Sequence, residues 1–165
     1  MAGGFSLATD LLPELEATLL AAYAKVEKSE VAPSIIIDAA LSLDEITEET
    51  CQIVESLAPY GAGNPKPIFL FSNIEVEKVK TFGNGGIHLE LQFKNSAGRV
   101  INAIGFFSCS PLLAGEVFHS TDSHNFHEVA LEVGRRIDLA ATIEKSYFKN
   151  RPEIRLRIVD IRKPE

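Results

Sequence analysis

The sequence predicts an α+β chain: N-terminal helices with a short strand, followed by a small five-stranded β-barrel. Three observations predict it. The stretch Leu57 to Phe71, LAPYGAGNPKPIFLF, carries Pro59, Pro65, Pro67, Gly61 and Gly63. Proline removes backbone donors and disfavours helix before it, so this stretch is a rigid junction and neither helix nor central strand. Before the junction apolar residues recur at three- and four-residue steps; after it they alternate. Charge divides at the same place. Residues 1–65 hold 2 Lys+Arg against 11 Asp+Glu, net −9, whereas residues 66–165 hold 14 against 12, net +2. Such asymmetry signals divided function.

The 165 residues, 45% hydrophobic, are enough for a real core. No run approaches the roughly 18 apolar residues of a membrane span, and no basic segment precedes an apolar one at the N-terminus, so the expected location is cytoplasmic. Cys51 and Cys109 lack CxxC spacing and read as small buried thiols.

In Met1–Asp10, Phe5 and Leu7 alternate with Ser6 as in a short strand, and the abrupt start suggests a truncated one. From Leu11 to Lys28, Leu12, Leu15, Leu19, Ala22 and Val26 share one helical face, with Thr9 and Asp10 as N-cap oxygens. Ser34 to Leu41, with three consecutive isoleucines, reads as a strand buried on both faces at its start. Ser42 and Glu45 form a capping box for a second helix that ends at Pro59, with Ile46, Ile53 and Leu57 as its apolar stripe.

Beyond the junction, Asn73 to Phe82 alternates, Gly83 to Gly86 turns, and Ile87 to Lys94 alternates again. Ile87, Leu89, Leu91 and Phe93 take one face of that strand; His88, Glu90, Gln92 and Lys94 take the other. Asn95 to Gly98 makes the next turn, and Arg99 to Phe107 the third strand, with a bend or bulge at Gly105. Ser110 to Gly134 opens as a polar loop and ends in a short helix over Asn125 to Val133. Two strands close the chain, Arg136 to Glu144 and Glu153 to Arg162, with a bulge near Val159 and Asp160, where the apolar phase slips. Three strands, a helical connection and two strands is the order of an oligonucleotide-binding (OB) barrel, although other small barrels give a similar alternation.

No Walker-type loop or hydrolytic triad is legible. Cys109, His119, Asp122, His124 and His127 are metal-ligand types, but their spacing fits no zinc signature and suits a solvated loop. The stronger constellation is basic and aromatic: Lys78, Lys80, Phe82 and His88 at the first hairpin, and Tyr147, Phe148, Lys149 and Arg151 at the last, beside Arg155 and Arg157. Single-stranded nucleic acid needs cations along its backbone and flat rings under its bases. The alternative is that Phe82 and Phe148 close the barrel ends and the cations serve solubility.

The junction resembles the L-x-P-[FY]-G-x-G-N-P-x-P-x-F sequence of RecJ-type single-stranded-DNA-specific 5′→3′ exonucleases, through Leu57, Pro59, Tyr60, Gly61, Gly63, Asn64, Pro65, Pro67 and Phe69. The resemblance continues at Val79-Lys80, His88-Leu89, Asn102 to Phe106 (where the family commonly starts with Asp), Ile137 to Ala140 and Leu156 to Arg162. It implies that residues 1–41 are the end of a DHHA1 domain, 42–65 a connecting helix and junction, and 66–165 an OB domain that binds single-stranded DNA. The Asp-His-His and Gly-Gly-His motifs of the family are absent. The resemblance therefore implies an inert fragment without a cofactor of its own, from a parent hydrolase that uses Mn or Mg in DNA repair and recombination. Implied partners are single-stranded DNA, the upstream catalytic domains of the same protein and, as a candidate, a single-strand-binding protein. The rival function is a protein-interaction module that docks a repair partner or its own catalytic core.

Overall fold

A computed structural model describes residues 4, 6–25, 34–106, 117–118, 129–147 and 152–164. The chain divides into two compact units, Met1–Val31 and Ala32–Glu165.

In the first unit a 3-10 segment, Thr9–Glu14, contains Pro13 and leads into helix α1, Leu15–Ala24. The sequence expectation needs correcting here. No side chain caps either segment, and the apolar residues do not form one stripe. Leu11, Leu12, Leu19, Leu20 and Tyr23 are all exposed, because leucine and alanine surround α1 on every side. Ser6 and Leu7 are not in a strand; Phe5, Val26 and Lys28 lie outside the described residues.

The second unit begins with strand β1, Ala39–Ala40, which pairs in parallel with β2, Phe69–Glu75, in the register Ala39 to Phe69. The Asp38 carboxylate accepts the Ile68 N–H at 2.8 Å and fixes that register. The expected longer strand, buried on both faces, is not formed: Ile36 is 79% exposed. Ser42 and Glu45 do pair, the carboxylate accepting the Ser42 N–H at 2.7 Å and its hydroxyl at 2.8 Å, but they close only a 3-10 turn, Leu43–Glu45. Helix α2, Glu48–Ser56, has its own cap, Thr47 Oγ1, which accepts the Thr50 N–H at 3.1 Å. Its buried residues are Cys51 and Val54, whereas Ile53 and Leu57 face outward, so the expected stripe is wrong beyond Ile46. Burial, and then Glu55 and Glu48, push the Cys51 thiol up from its ordinary value.

The junction is held by Asn64, whose side-chain amide donates to the carbonyls of Leu57 at 2.8 Å and Pro59 at 3.0 Å, and by the Tyr60 hydroxyl, which donates to the Val54 carbonyl. At Gly61 and Gly63 an added Cβ would meet nothing, so the turn rests on Asn64 rather than on glycine.

The barrel continues with β3 (Lys78–Phe82), β4 (His88–Lys94), β5 (Val100–Gly105), β6 (Val117–Phe118), β7 (Val129–Ala130), β8 (Arg136–Ser146) and β9 (Glu153–Arg162). The main sheet runs β1-β2-β8-β9-β5-β4-β3, with β5 and β9 parallel. It closes through the chain itself, because β2 runs into β3 at Val76-Glu77. Val76 exchanges bonds with the backbone beside β8 (Val76 N–H to Arg135 O, 2.9 Å; Gly134 N–H to Val76 O, 2.8 Å). Glu77 N–H already bonds Gln92 O of β4, at 2.8 Å. The bend thus carries the chain from the side of β8 to the side of β4, and the expected single strand from Asn73 to Phe82 is two.

Inward alternation fills the interior with Phe71, Leu89, Leu91, Phe93, Ile101, Ile137, Leu139, Ile143, Leu156 and Ile161, and Ile46, Cys51 and Val54 belong to the same core. The bulge at Val159 is present: Ala141 faces Ile158 while Ala140 faces Asp160. Gly105 has no bulge and pairs regularly with Leu89. A second irregularity falls between Phe71 and Ile74, where Asn73 adopts φ 53°. The expected helix ending at Val133 is also corrected, since Val129–Ala130 is a strand paired with Val117–Phe118.

Candidate nucleic-acid interface

Strand register decides which of the sequence candidates meet. Across β3 and β4, Lys78 pairs with Gln92, Lys80 with Glu90 and Phe82 with His88; across β4 and β5, Gln92 pairs with Asn102 and Glu90 with Ile104. Ile104 pairs with Arg157 of β9, which pairs with Thr142 of β8, and Arg155 pairs with Glu144. Side chains alternate across a strand, so Lys78, Lys80, Phe82, His88, Arg155 and Arg157 all lie on the outer face of one curved sheet.

At one end of this face three rings meet. Phe82 and His88 have centroids 5.1 Å apart, His88 and Phe106 5.2 Å at 68°, and Phe82 and Phe106 6.2 Å at 76°. The guanidinium carbon of Arg157 lies 4.1 Å from the Phe106 ring centroid. Burial lowers the pKa of Arg157, an effect that Glu144 opposes and Arg155 reinforces. Behind His88 stands the backbone of Gly83, at φ 84°, so close that an added Cβ would fall 2.5 Å from the ring. Phe82 is half-buried against these rings and is not in the core.

The cations divide. Arg155 Nε donates to Glu144 Oε1 at 2.6 Å, both side chains three-quarters or more buried. Lys78 and Lys80 are exposed on the outer edge of β3 and make no ion pair with any described residue. Asn102 donates to Glu153 while its carbonyl oxygen is buried without a partner. Tyr147 follows β8 and is 67% exposed. Phe148, Lys149 and Arg151 lie outside the described residues, as do Cys109, His119, Asp122, His124 and His127.

Phe106 is a member of the cluster that sequence reasoning did not select. Its signal was available, because it continues the outward phase of Asn102 and Ile104. Among the described residues no group of three or more His, Cys, Asp or Glu is disposed to hold a metal ion, and no helix is long and apolar enough to cross a membrane. A groove of about 460 Å³ between the Ser42 turn and the Asn95 turn is polar, but its side chains are engaged with one another: Lys94 with Glu77 at 2.8 Å, Arg136 with Glu75 at 3.3 Å, and Asp44 accepting from the Ser96 hydroxyl at 2.8 Å.

In architecture this is an α+β chain carrying an OB-fold barrel, a class whose sheet face and hairpin loops receive oligonucleotides or oligosaccharides in other proteins. By sequence the chain belongs to the RecJ OB domain family, whose profile matches residues 37–160. It is 24% identical over 161 residues to the single-stranded-DNA-specific exonuclease RecJ of Bacillus subtilis (strain 168), covering 97% of this chain and 18% of that protein. Two crystal structures of RecJ from Thermus thermophilus, in complex with Mg2+ and with Mn2+, share the fold. They align at TM-scores of 0.56 and 0.57 with 20% identity, over 98% of this chain and 22% and 20% of theirs. The chain thus spans about a fifth of the length of these relatives.

Proposed function

We propose that the outer face of β3, β4, β5 and β9 binds single-stranded DNA, and that the chain is the strand-holding portion of a RecJ-type 5′→3′ exonuclease in DNA repair and recombination. The observation that carries this reading is the convergence of Lys78, Lys80, Phe82, His88, Arg155 and Arg157 on one face, with rings and cations adjoining. Single strands are held by that combination, through cations for phosphates and π faces for bases. Tyr147, Phe148, Lys149 and Arg151, which fall between β8 and β9 in the sequence, are further contact candidates in this reading. Catalysis and its Mn or Mg belong, in this reading, to a DHH domain outside these residues, and the chain alone cleaves nothing. The deciding experiment is anisotropy of a labelled oligothymidylate at low salt. Binding that is lost on Arg155→Ala with Arg157→Ala supports the reading, and an unchanged anisotropy with the native chain sinks it.

A second reading has its own observation. Helix α1 is apolar on all sides and exposed, and such helices are interior elements of larger assemblies. Residues 1–41 then act as the end of a DHHA1-like domain, with the rest of a RecJ-type protein as their partner, and residues 42–65 as the connector. Co-expression with such a catalytic segment tests it. Complex formation that survives deletion of residues 1–31 would count against this role for α1.

A further inference from the structure

We infer that the outer face takes unstacked bases as its principal ligand, and that of its described cations only Lys78 and Lys80 contact phosphate. This deepens the single-strand reading above and rests on it.

The charges on the face nearly cancel. Lys78, Lys80, Lys94, Arg155 and Arg157 stand against Glu90, Glu144 and Glu153, and Lys94 is already held by Glu77 at 2.8 Å. The two arginines are already engaged. Arg155 is held by Glu144 at 2.6 Å in a setting where both groups are largely withdrawn from water. Arg157 sits over the Phe106 ring, desolvated, with its planar group extending the aromatic surface. A guanidinium so placed offers a flat face to a base; engaging a phosphate would require it to leave the ring. The lysines differ. Both are exposed and unpaired among the described residues, and both occupy the edge strand β3, on the side of the face away from Arg155 and Arg157.

This arrangement places the sugar-phosphate backbone along β3 and turns the bases inward over β4 and β5, onto Phe82, His88 and Phe106. The rings are set before any ligand arrives: they contact one another within 6.2 Å, and Gly83 backs His88. A duplex hides its base faces in its own stack, so the chemistry selects unpaired strands and gives weight to bases over charge.

Salt dependence separates the two kinds of contact. Each phosphate neutralised on a single strand contributes about −0.7 to the slope of log K against log salt. Replacing Lys78 and Lys80 together by Gln is expected to reduce the slope by about 1.4, whereas Arg157→Gln weakens oligothymidylate binding about tenfold with no change of slope. The native chain should also bind an abasic strand of equal length and charge at least about tenfold more weakly than oligothymidylate. This last comparison needs no variant. Equal affinity for the two strands, or a slope that falls by about 0.7 in Arg157→Gln, would overturn the inference while leaving single-strand binding intact. Binding of neither strand would instead overturn the reading on which it rests.

Discussion

Arg157 lies with its guanidinium carbon 4.1 Å from the centroid of the Phe106 ring, linking the last barrel strand to the residue that follows β5. The parallel pairing of β5 with β9 aligns Ala103 with Leu156 and Ile104 with Arg157, so a side-chain contact at its end supports that pairing as well as building the site. A double-mutant cycle of Arg157→Ala and Phe106→Leu should return a coupling of about 0.5–2 kcal/mol in denaturant melts. A coupling of zero would mean that the two groups are neighbours without attraction.

The bulge in β9 gives a second expectation. With Val159 set aside from the ladder, Ile158 and Ile161 both point inward, and Ile161 is fully buried between β8 and the core. Ile161→Ala should cost about 2–5 kcal/mol, while Val159→Ala, at the unpaired position, should cost about 0.5 kcal/mol. Equal costs, read from urea midpoints at constant m, would place the bulge elsewhere.

Much of this architecture could be read from the residues, and the failures have physical causes. Strands β4 and β9 alternate between a more exposed side and the barrel interior, so burial prints a two-residue period on them, and even the Val159 bulge shows as a slip of that period. Helix α2 is short and buries only Cys51 and Val54 in the core. Two short apolar lines compete on it, and Cys51 with Val54 prevails over Ile53 with Leu57. Phe106 escaped because a bulge expected at Gly105 would have reversed its side; the regular Leu89 to Gly105 pairing keeps it outward. Arg155 read as a free cation because its pairing with Glu144 depends on cross-strand register, which residue types alone do not specify.

The Ser42 turn should lose its hold in acid. The Glu45 carboxyl is kept below its ordinary value of 4.5, first by the Ser42 N–H and then by the Ser42 hydroxyl. A pKa depressed by folding means that the contribution is present above the unfolded value and is lost as pH falls through the folded one. Native protein should therefore lose stability relative to Glu45→Gln as pH drops below about 4.5, with the two differing by a constant amount near neutrality. A difference that stays constant through the acid range would show that the carboxylate form of Glu45 contributes nothing.

Two glycines of one turn form a matched pair for testing how the ring cluster is positioned. Gly83 and Gly85 both have positive φ, 84° and 74°, but Gly83 has ψ 177°, a region essentially confined to glycine, whereas Gly85 has ψ 9°, where alanine costs about 1–2 kcal/mol. They differ in what the new methyl group meets. At Gly85 it meets nothing within 4 Å, but at Gly83 it falls 2.5 Å from His88 Cδ2 and 3.0 Å from Nε2. The ring cannot stay where it is, and its contacts at 5.1 Å with Phe82 and 5.2 Å with Phe106 must change. Gly83→Ala should lose more stability than Gly85→Ala in thermal melts, and it alone shifts the His88 ring resonances and weakens oligothymidylate binding. If Gly85→Ala weakens binding equally, the turn acts through its backbone; if neither does, the Phe82, His88 and Phe106 cluster is not where bases rest.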